Sequence, residues 1–449
     1  MKCDIVLANI PRTDPRAPYL GTFLLKSIVQ NNGFTCKSFD WNRDLHDKTK
    51  NNKIFDRSDL YFNLKEKFDI LWNDDLEDIC HGWIKELQEC NPDWFGITFM
   101  SQRQVHMGRK LVELVREKLP NTKIVVGGFF VASKPFKVGA DLKKEGLIDY
   151  YINGEGEDAI VELLKGNDAL QGINTEISTI PPDINLNPTP DFSDVLHYDY
   201  SRYYIYNSRG CVNKCKFCNE NEYSKGYRFR KGELVCRDLI ETKKATGINQ
   251  FFFVDSLING NPKEFRKLVK LLHGHNIEWS GQFLCNGWMK EEEYRDAKES
   301  GLKGFSMGIE SASYRIRKEM GKGFTNEHLN QTIKYATESG MYIDIMLIVG
   351  WPTETEDDFL ETLDFIEKIS KIKNIRVNPG LTLRLNRQMN LYKDLKMTTD
   401  PGGKWIYKDN VYKLRKDRWL RLVEHCKLVG IEVEERQREK VEENYNDIQ

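Results

Sequence analysis

The chain has 449 residues, more than one hydrophobic core organises, so two or three domains are expected. Its 67 Lys and Arg nearly balance its 68 Asp and Glu, which excludes a general polyanion binder and leaves room only for a local basic face. With 30% charged and 40% hydrophobic residues, and no apolar run near the ~20 residues of a membrane span, the composition is that of a soluble globular chain.

From the N-terminus, strand and helix signals alternate. Residues 3–10 form an apolar run read as a buried first strand; it is too short for a signal peptide and no small-residue cleavage site follows. A helix over 20–32 carries Phe23, Leu24 and Ile28 on one face and stops at Gly33. The second strand, 34–39, ends at Asp40, and a polar stretch with an aromatic helix-like piece at 61–72 interrupts the alternation. It resumes with a strand at 94–99, a helix at 105–119, a strand at 123–126 leading into Gly127-Gly128, and a strand at 148–152 leading into Gly154-Glu155-Gly156-Glu157 and a last helix. This order predicts an α/β domain over 1–170 built on a doubly wound parallel sheet, with its ligand beyond the carboxyl ends of the strands. A linker is expected over 171–199, where Pro181, Pro182, Pro188 and Pro190 break any sustained period.

Strands at 203–207, 251–254, 278–285, 304–308, 342–349 and 375–378, with helices between, predict a second domain over 200–380. These six βα units are too few for a closed eight-stranded barrel and make a partial (β/α)6 one. The remainder, 381–449, reads as a small helical and tail region that turns acidic and frayed from Glu432. Its basic aromatic stretch (Lys404, Trp405, Tyr407, Lys408, Lys413, Arg415, Lys416, Arg418, Arg421) suits either RNA or a leader peptide, or a solvated helix face over the barrel mouth. The balanced net charge favours the second, so no nucleic-acid partner is expected.

One cysteine group is tight: Cys211-Val-Asn-Lys-Cys215-Lys-Phe-Cys218, in the loop after the first barrel strand. Three thiolates at this spacing hold three irons of a cubane cluster and leave the fourth iron open to a further ligand. The competing reading is structural zinc, which wants four protein ligands. No His lies between Tyr198 and Leu272, and Cys236 falls in a predicted helix. The other cysteines are scattered, which argues against a disulfide framework and for a reducing cytoplasm.

From Asn207 to about Lys368 the chain resembles the radical S-adenosylmethionine (SAM) superfamily, in its branch with an N-terminal cobalamin-binding domain. The matching residues are Ser208-Arg209-Gly210-Cys211, Phe217, Tyr227-Arg228-Phe229-Arg230, Phe252-Phe253-Val254-Asp255, Gly308-Ile309-Glu310-Ser311, Met320-Gly321-Lys322-Gly323 and Ile348-Val349-Gly350-Trp351-Pro352-Thr353-Glu354-Thr355. The Gly-Gly-Glu element of many members is absent, with Val254-Asp255-Ser256 in its place. The resemblance implies a [4Fe–4S] cluster on Cys211, Cys215 and Cys218, and SAM beside Phe217, Asp255, Ser306, Glu310 and Ile348.

Strand alternation places further candidates. With Ile343, Ile345, Leu347 and Val349 facing the helices, Tyr342, Asp344, Met346 and Ile348 face the lumen. Likewise Ser306, Gly308 and Glu310 oppose Phe305, Met307 and Ile309, while Ser280, Gln282 and Asn286 oppose Trp279, Phe283 and Cys285. Buried carboxylates are costly unless they meet a ligand or a cation. Glu310 and Asp344 therefore read either as ligand-binding groups or as a structural ion pair with Arg376, and Asp344, Gln282, Asn286 and Arg376 are the candidates for substrate contact and catalysis.

In the first domain the glycine clusters read on their own as tight turns or as cradles for a bulky ligand. The resemblance implies cobalamin there, against Pro11, Tyr19, Gly21, Ser101, Gly127, Gly128, Phe129, Gly154, Glu155 and Gly156. No Asp-x-His-x-x-Gly occurs, so no histidine is expected below the cobalt. Phe129-Phe130 either packs on the corrin face or marks a domain that has lost the cofactor. The implied activity is methylation of an unactivated carbon of an unidentified small molecule or peptide, with flavodoxin or ferredoxin as electron donor; the alternative is a radical rearrangement, oxidation or cyclisation. A methylthiotransferase would need three more clustered cysteines, and Cys3, Cys36, Cys80 and Cys90 lack that context.

Overall fold

The computed structural model describes residues 2–49, 54–56, 60–132, 137–218, 220–380, 383, 385, 389–435, 438 and 441. The chain divides into two units. One holds Met1–Ile205, Tyr223–Lys225 and Arg237–Gln250, the other Tyr206–Glu222, Gly226–Cys236 and Phe251–Gln449.

In the first unit, β1 (Ile5–Asn9) is buried along its whole length, as a strand covered on both faces must be. With β2 (Cys36–Asp40), β3 (Trp94–Thr98), β4 (Lys123–Gly127) and β5 (Tyr150–Tyr151) it forms a five-stranded sheet ordered β2-β1-β3-β4-β5. Every pairing is parallel. The strand order reverses between β1 and β3, the switch point at which a doubly wound sheet opens a ligand crevice. The expected doubly wound sheet is present; β5 covers only Tyr150–Tyr151, although the Asp149 and Ile152 N–H groups still donate to the Ile124 and Val126 carbonyls of β4, and Ile152 also bridges Ile173 in antiparallel fashion.

The interruption before β3 is helical. Helices Trp41–Thr49, Lys65–Leu71 and Glu77–Cys90 fill it, with a π-helical turn at Trp72–Leu76. Trp41 and Trp83 stack with ring centroids 5.2 Å apart, and Trp41 also meets Phe95 of β3. Burying such a ring contributes about 2–3 kcal/mol, so this insertion is part of the core and not an appended loop.

The second sheet begins with β6 (Tyr203–Ile205), the strand at whose end the division of the chain falls. Next come a two-stranded ribbon of β7 (Ser208–Arg209) and β8 (Arg228–Phe229), then β9 (Gln250–Phe253), β10 (Glu278–Phe283), β11 (Leu302–Glu310), β12 (Tyr342–Leu347) and β13 (Ile375–Pro379). A second ribbon pairs β14 (Thr398–Thr399) with β15 (Trp405–Ile406), and β16 (Glu432–Val433) ends the series. The sheet has seven strands, ordered β16-β13-β12-β11-β10-β9-β6. Strand order follows chain order, as in a segment of a βα barrel.

All six expected barrel strands are there. The seventh corrects the start of the expected frayed acidic tail, most of which beyond Glu435 lies outside the described residues: Glu432 stands in register opposite Arg376, whose guanidinium also lies 3.9 Å from Glu434. The basic stretch is corrected too. Arg415 and Arg418, on the helix Tyr412–Leu428, are only 1% and 3% exposed and form no solvated face. Arg415 lies 3.6 Å over the Trp405 ring and donates to the Asn410 and Trp405 carbonyls, while Arg418 pairs with Glu354 at 3.1 Å. Among the described residues no helix is long and apolar enough to cross a membrane.

Candidate functional site

The cysteine loop is fastened at two points, ahead of Cys211 and within its middle. At its start stands Asp255, two residues beyond β9 and buried. Its carboxyl accepts the Asn207 N–H at 3.0 Å on each oxygen, the Ser208 N–H, and the Ser208 hydroxyl at 2.6 Å. Burial pushes its pKa up to about 7, against the pull of those hydrogen bonds. Further along, the Lys216 N–H donates to the Met320 carbonyl at 3.0 Å. Gly321, at φ +85°, ends the helix Tyr314–Met320 so close that a Cβ there would sit 3.1 Å from the Lys214 carbonyl oxygen. Just beyond the second anchor Phe217 meets the Trp351 ring edge-on at 6.3 Å.

Cys211 and Cys215 are half-buried and Cys218 is exposed. Burial pushes all three thiols up, and the Lys322 ammonium works in the opposite direction on each. Among the described residues no three His, Cys, Asp or Glu side chains are gathered tightly enough to share one metal ion. Three free thiols on one short loop can each serve one iron of a cubane and leave the fourth iron open, so the donor set fits an iron–sulfur cluster.

Glu310 closes β11 at φ +67°, a left-handed conformation that costs a residue with a side chain about 1–3 kcal/mol. Its carbonyl accepts the Ile348 N–H at 2.8 Å, joining the carboxyl ends of β11 and β12, and its Oε1 meets Lys322 Nζ at 2.9 Å. Lys322 also donates to the Gly308 carbonyl at 2.8 Å. A Cβ at Gly308 would strike Glu310 Oε1 and lie 3.3 Å from Lys322 Nζ, so the pair occupies the space that glycine leaves.

Asp344 takes the other arrangement foreseen for the lumen. It pairs with Arg376 Nε at 2.9 Å and accepts from Ser306 Oγ at 3.4 Å. The ion pair with Arg376 thus holds for Asp344, while the cation of Glu310 is Lys322. The alternation is as expected: Phe305, Met307 and Ile309 are buried, and Ser306, Gly308 and Glu310 stand on the opposite, half-exposed side. Gln282 is half-buried on β10, and Asn286 accepts the Trp288 N–H at 3.2 Å through Oδ1. The loop after β12 turns at Gly350, φ +90°, beneath Arg415, and Glu354 accepts the Gly350 N–H at 3.1 Å.

In the first unit the glycine turns separate into two kinds. Gly128, at φ +102°, is required by the fold, because a Cβ would strike Thr98 and come within 2.7 Å of the Phe99 carbonyl oxygen. At Gly127 a Cβ would meet nothing nearer than Ile152 at 3.9 Å, and at Gly156 nothing nearer than Leu25 at 3.7 Å. Neither packing nor torsion demands glycine at those two positions. Their bare backbone, at the carboxyl end of β4 and after β5, fits a broad flat ligand such as a corrin. Phe129 follows, its ring 4.8 Å from that of Tyr223, whose hydroxyl donates to the Gly154 carbonyl at 3.2 Å. Gly21 packs under the Tyr19 ring.

Three residues of these surroundings escape a reading of the sequence. Lys322 lies inside a motif that the sequence does show, but nothing in its spacing assigns it a partner. Gln104 has no motif at all. Buried, it accepts the Met100 N–H at 2.7 Å and donates to the Ile10 carbonyl at 2.8 Å, holding the carboxyl ends of β1 and β3 on either side of the switch point. Tyr223 reaches Phe129 and Gly154 only through the fold.

Residues 205–366 match the family model described as the Radical SAM superfamily, and residues 73–164 match the B12 binding domain. The barrel is a radical SAM domain. The chain joins it to a B12-binding domain; the cofactors that go with the two domains are SAM and a [4Fe–4S] cluster for the first and cobalamin for the second. The second match contains Ser101 and both glycine turns. Over 333 residues the chain is 27% identical to an uncharacterized methyltransferase of Pyrococcus horikoshii, covering 68% of this chain and 71% of that one. Over 198 residues it is 28% identical to bacteriochlorophyllide d C-12(1)-methyltransferase of Chlorobaculum tepidum, covering 42% and 43% respectively, less than half of that relative's length. The structure of the radical SAM methyltransferase TsrM from Kitasatospora setae, with cobalamin and [4Fe-4S] cluster bound, superposes with a TM-score of 0.65 at 16% identity, covering 88% of this chain and 78% of that one. At that identity the likeness is one of fold.

Proposed function

We propose that this chain transfers a methyl group to an unactivated carbon of a small molecule or peptide. The observation that carries the reading is the pairing, in one chain, of a loop that presents three free thiols with glycine turns that leave bare backbone beside a switch-point crevice. Two relatives named as methyltransferases support it. When bound, the cluster and SAM supply a carbon radical, and cobalamin carries the methyl group that such a radical takes up. Cys211, Cys215 and Cys218 hold the cluster. Phe217, Ser306, Glu310 and Ile348 form the wall against SAM, and Asp255 acts behind them by fixing the loop. Gln282, Asn286 and the Asp344–Arg376 pair present polar groups to the substrate. Ser101, Gly127, Phe129, Gly154, Glu155 and Gly156, with Pro11, Tyr19 and Gly21, surround cobalamin. A flavodoxin or ferredoxin supplies the electron, and the free thiols throughout the chain suit the cytoplasm.

The test is the ratio of by-products from reconstituted protein offered candidate substrates without oxygen. Methylation consumes two SAM molecules for different tasks, so 5′-deoxyadenosine and S-adenosylhomocysteine appear in about equal amounts. Deoxyadenosine without adenosylhomocysteine, with a product of unchanged carbon count, would replace methylation by rearrangement, oxidation or cyclisation.

A further inference from the structure

Lys322 has no part in the proposed contacts with SAM or substrate, yet it is among the most constrained cations of the radical SAM unit. Its side chain is 10% exposed and its Nζ is held by Glu310 at 2.9 Å and the Gly308 carbonyl at 2.8 Å. The preceding residue is the one packed on the cysteine loop: a Cβ at Gly321 would lie 3.6 Å from Cys215 Cα. On its other side Nζ stands 6.0 Å from the Phe217 ring centroid, between the second and third cysteines. The ammonium is thereby fixed on the Glu310 carboxylate, beside the loop that carries the three thiols.

We infer that Lys322 sets the reduction potential of the cluster held by Cys211, Cys215 and Cys218. One-electron reduction adds negative charge to a group already bearing three thiolates, and the potential of such a cluster follows the charge around it. Glu310, placed by its left-handed backbone toward the same loop, would make that electron harder to add. Lys322 neutralises it, so the pair contributes almost no net charge, and losing either member leaves one uncompensated charge of opposite sign in a poorly solvated place.

The inference rests on the cluster assignment and not on which reaction follows. It is tested by redox titration of the reconstituted full chain without SAM, using dithionite as electron donor and the paramagnetic resonance signal of the reduced cluster as readout, with iron counted in each preparation. Lys322→Met lowers the equilibrium constant for reduction at least tenfold, about 59 mV for one electron. Glu310→Gln raises it by a similar factor, the double variant returns to the parent value, and Lys322→Arg stays near it. A fully loaded Lys322→Met with the parent potential overturns the inference. If Lys322→Met takes up no iron, Glu310→Gln decides: an upward shift supports the proposal and an unchanged potential overturns it. A parent chain that takes up no cluster overturns the cluster assignment, and this inference with it.

Discussion

Asp255 is the residue whose removal separates a structural account of the loop from a ligand-binding one. Its carboxyl accepts two backbone N–H groups and one hydroxyl, all within the segment that leads to Cys211. In Asp255→Ala the Asn207 and Ser208 N–H groups remain buried with no acceptor, at about 1–3 kcal/mol each, whereas the Ser208 hydroxyl can still turn to the Leu257 carbonyl at 3.1 Å. The expected loss is therefore about 2–6 kcal/mol, concentrated at this loop. Amide hydrogen exchange on a peptide spanning Asn207 and Ser208 reads it directly: even the lower figure speeds exchange roughly thirtyfold. Asp255→Asn keeps an acceptor at Oδ1, where three of the contacts converge, and loses less than half as much. The pH dependence has a definite sign. Burial raises the folded pKa to about 7, so the stability that the protonated acid contributes is complete below the ordinary carboxylate pKa of about 4 and is lost as pH rises through about 7. Asp255→Asn abolishes that slope. If Asp255→Ala left exchange at Asn207 and Ser208 unchanged and weakened only SAM binding, Asp255 would be a cofactor contact and the anchoring argument would fail.

Replacing Cys211, Cys215 and Cys218 together by Ala abolishes iron uptake and reductive SAM cleavage; retained cleavage, measured as deoxyadenosine, would refute the cluster assignment. Gly128→Ala adds about 1–3 kcal/mol of backbone strain to its collision with Thr98 and lowers the thermal midpoint, whereas Gly127→Ala and Gly156→Ala keep the melting profile and weaken cobalamin binding, followed by its visible absorption. Equal loss of stability in all three would show that none is a ligand cradle. Protein-bound cobalamin in its cobalt(II) state shows no nitrogen splitting from a lower ligand in paramagnetic resonance. His106, the first candidate because it follows the end of β3, is turned to the Asn63 carbonyl at 3.2 Å, and imidazole splitting would contradict that placement.

What could be read from the sequence follows the range of the forces involved. Strand and helix positions depend on local periodicity, so β1 to β4 and β9 to β13 lie close to their predicted places. The alternation on β11 and β12 is equally local, because a one-residue slip would expose Phe305, Met307, Ile343 and Ile345 together. Elements without such a pattern escaped. β16 is two residues long and owes its place to Arg376 on a strand more than fifty positions earlier. The burial of Arg415 and Arg418 depends on Trp405, Asn410 and Glu354, none of which can be assigned to them from charge counts, so within a stretch that looks like a basic surface these two arginines are internal braces for the loop after β12.

The two lumen carboxylates show the same limit at the site. Alternation gives Glu310 and Asp344 equal standing, each at an inward position, each needing a cation, with Arg376 the only cation that the strand pattern offers. The fold distinguishes them through features with no short-range signature. Asp344 sits mid-strand opposite Arg376 in register and takes it as a partner. Glu310 stands at the last position of β11, where the left-handed turn and the missing side chain of Gly308 send its carboxylate to Lys322 on the turn that braces the cysteines. A strained residue is retained only where its surroundings over-determine it, and here they do so beside the thiols. That asymmetry makes Asp344 a wall residue braced by Arg376 and Ser306, and sets Glu310 with Lys322 beside the turn that packs on the cysteine loop.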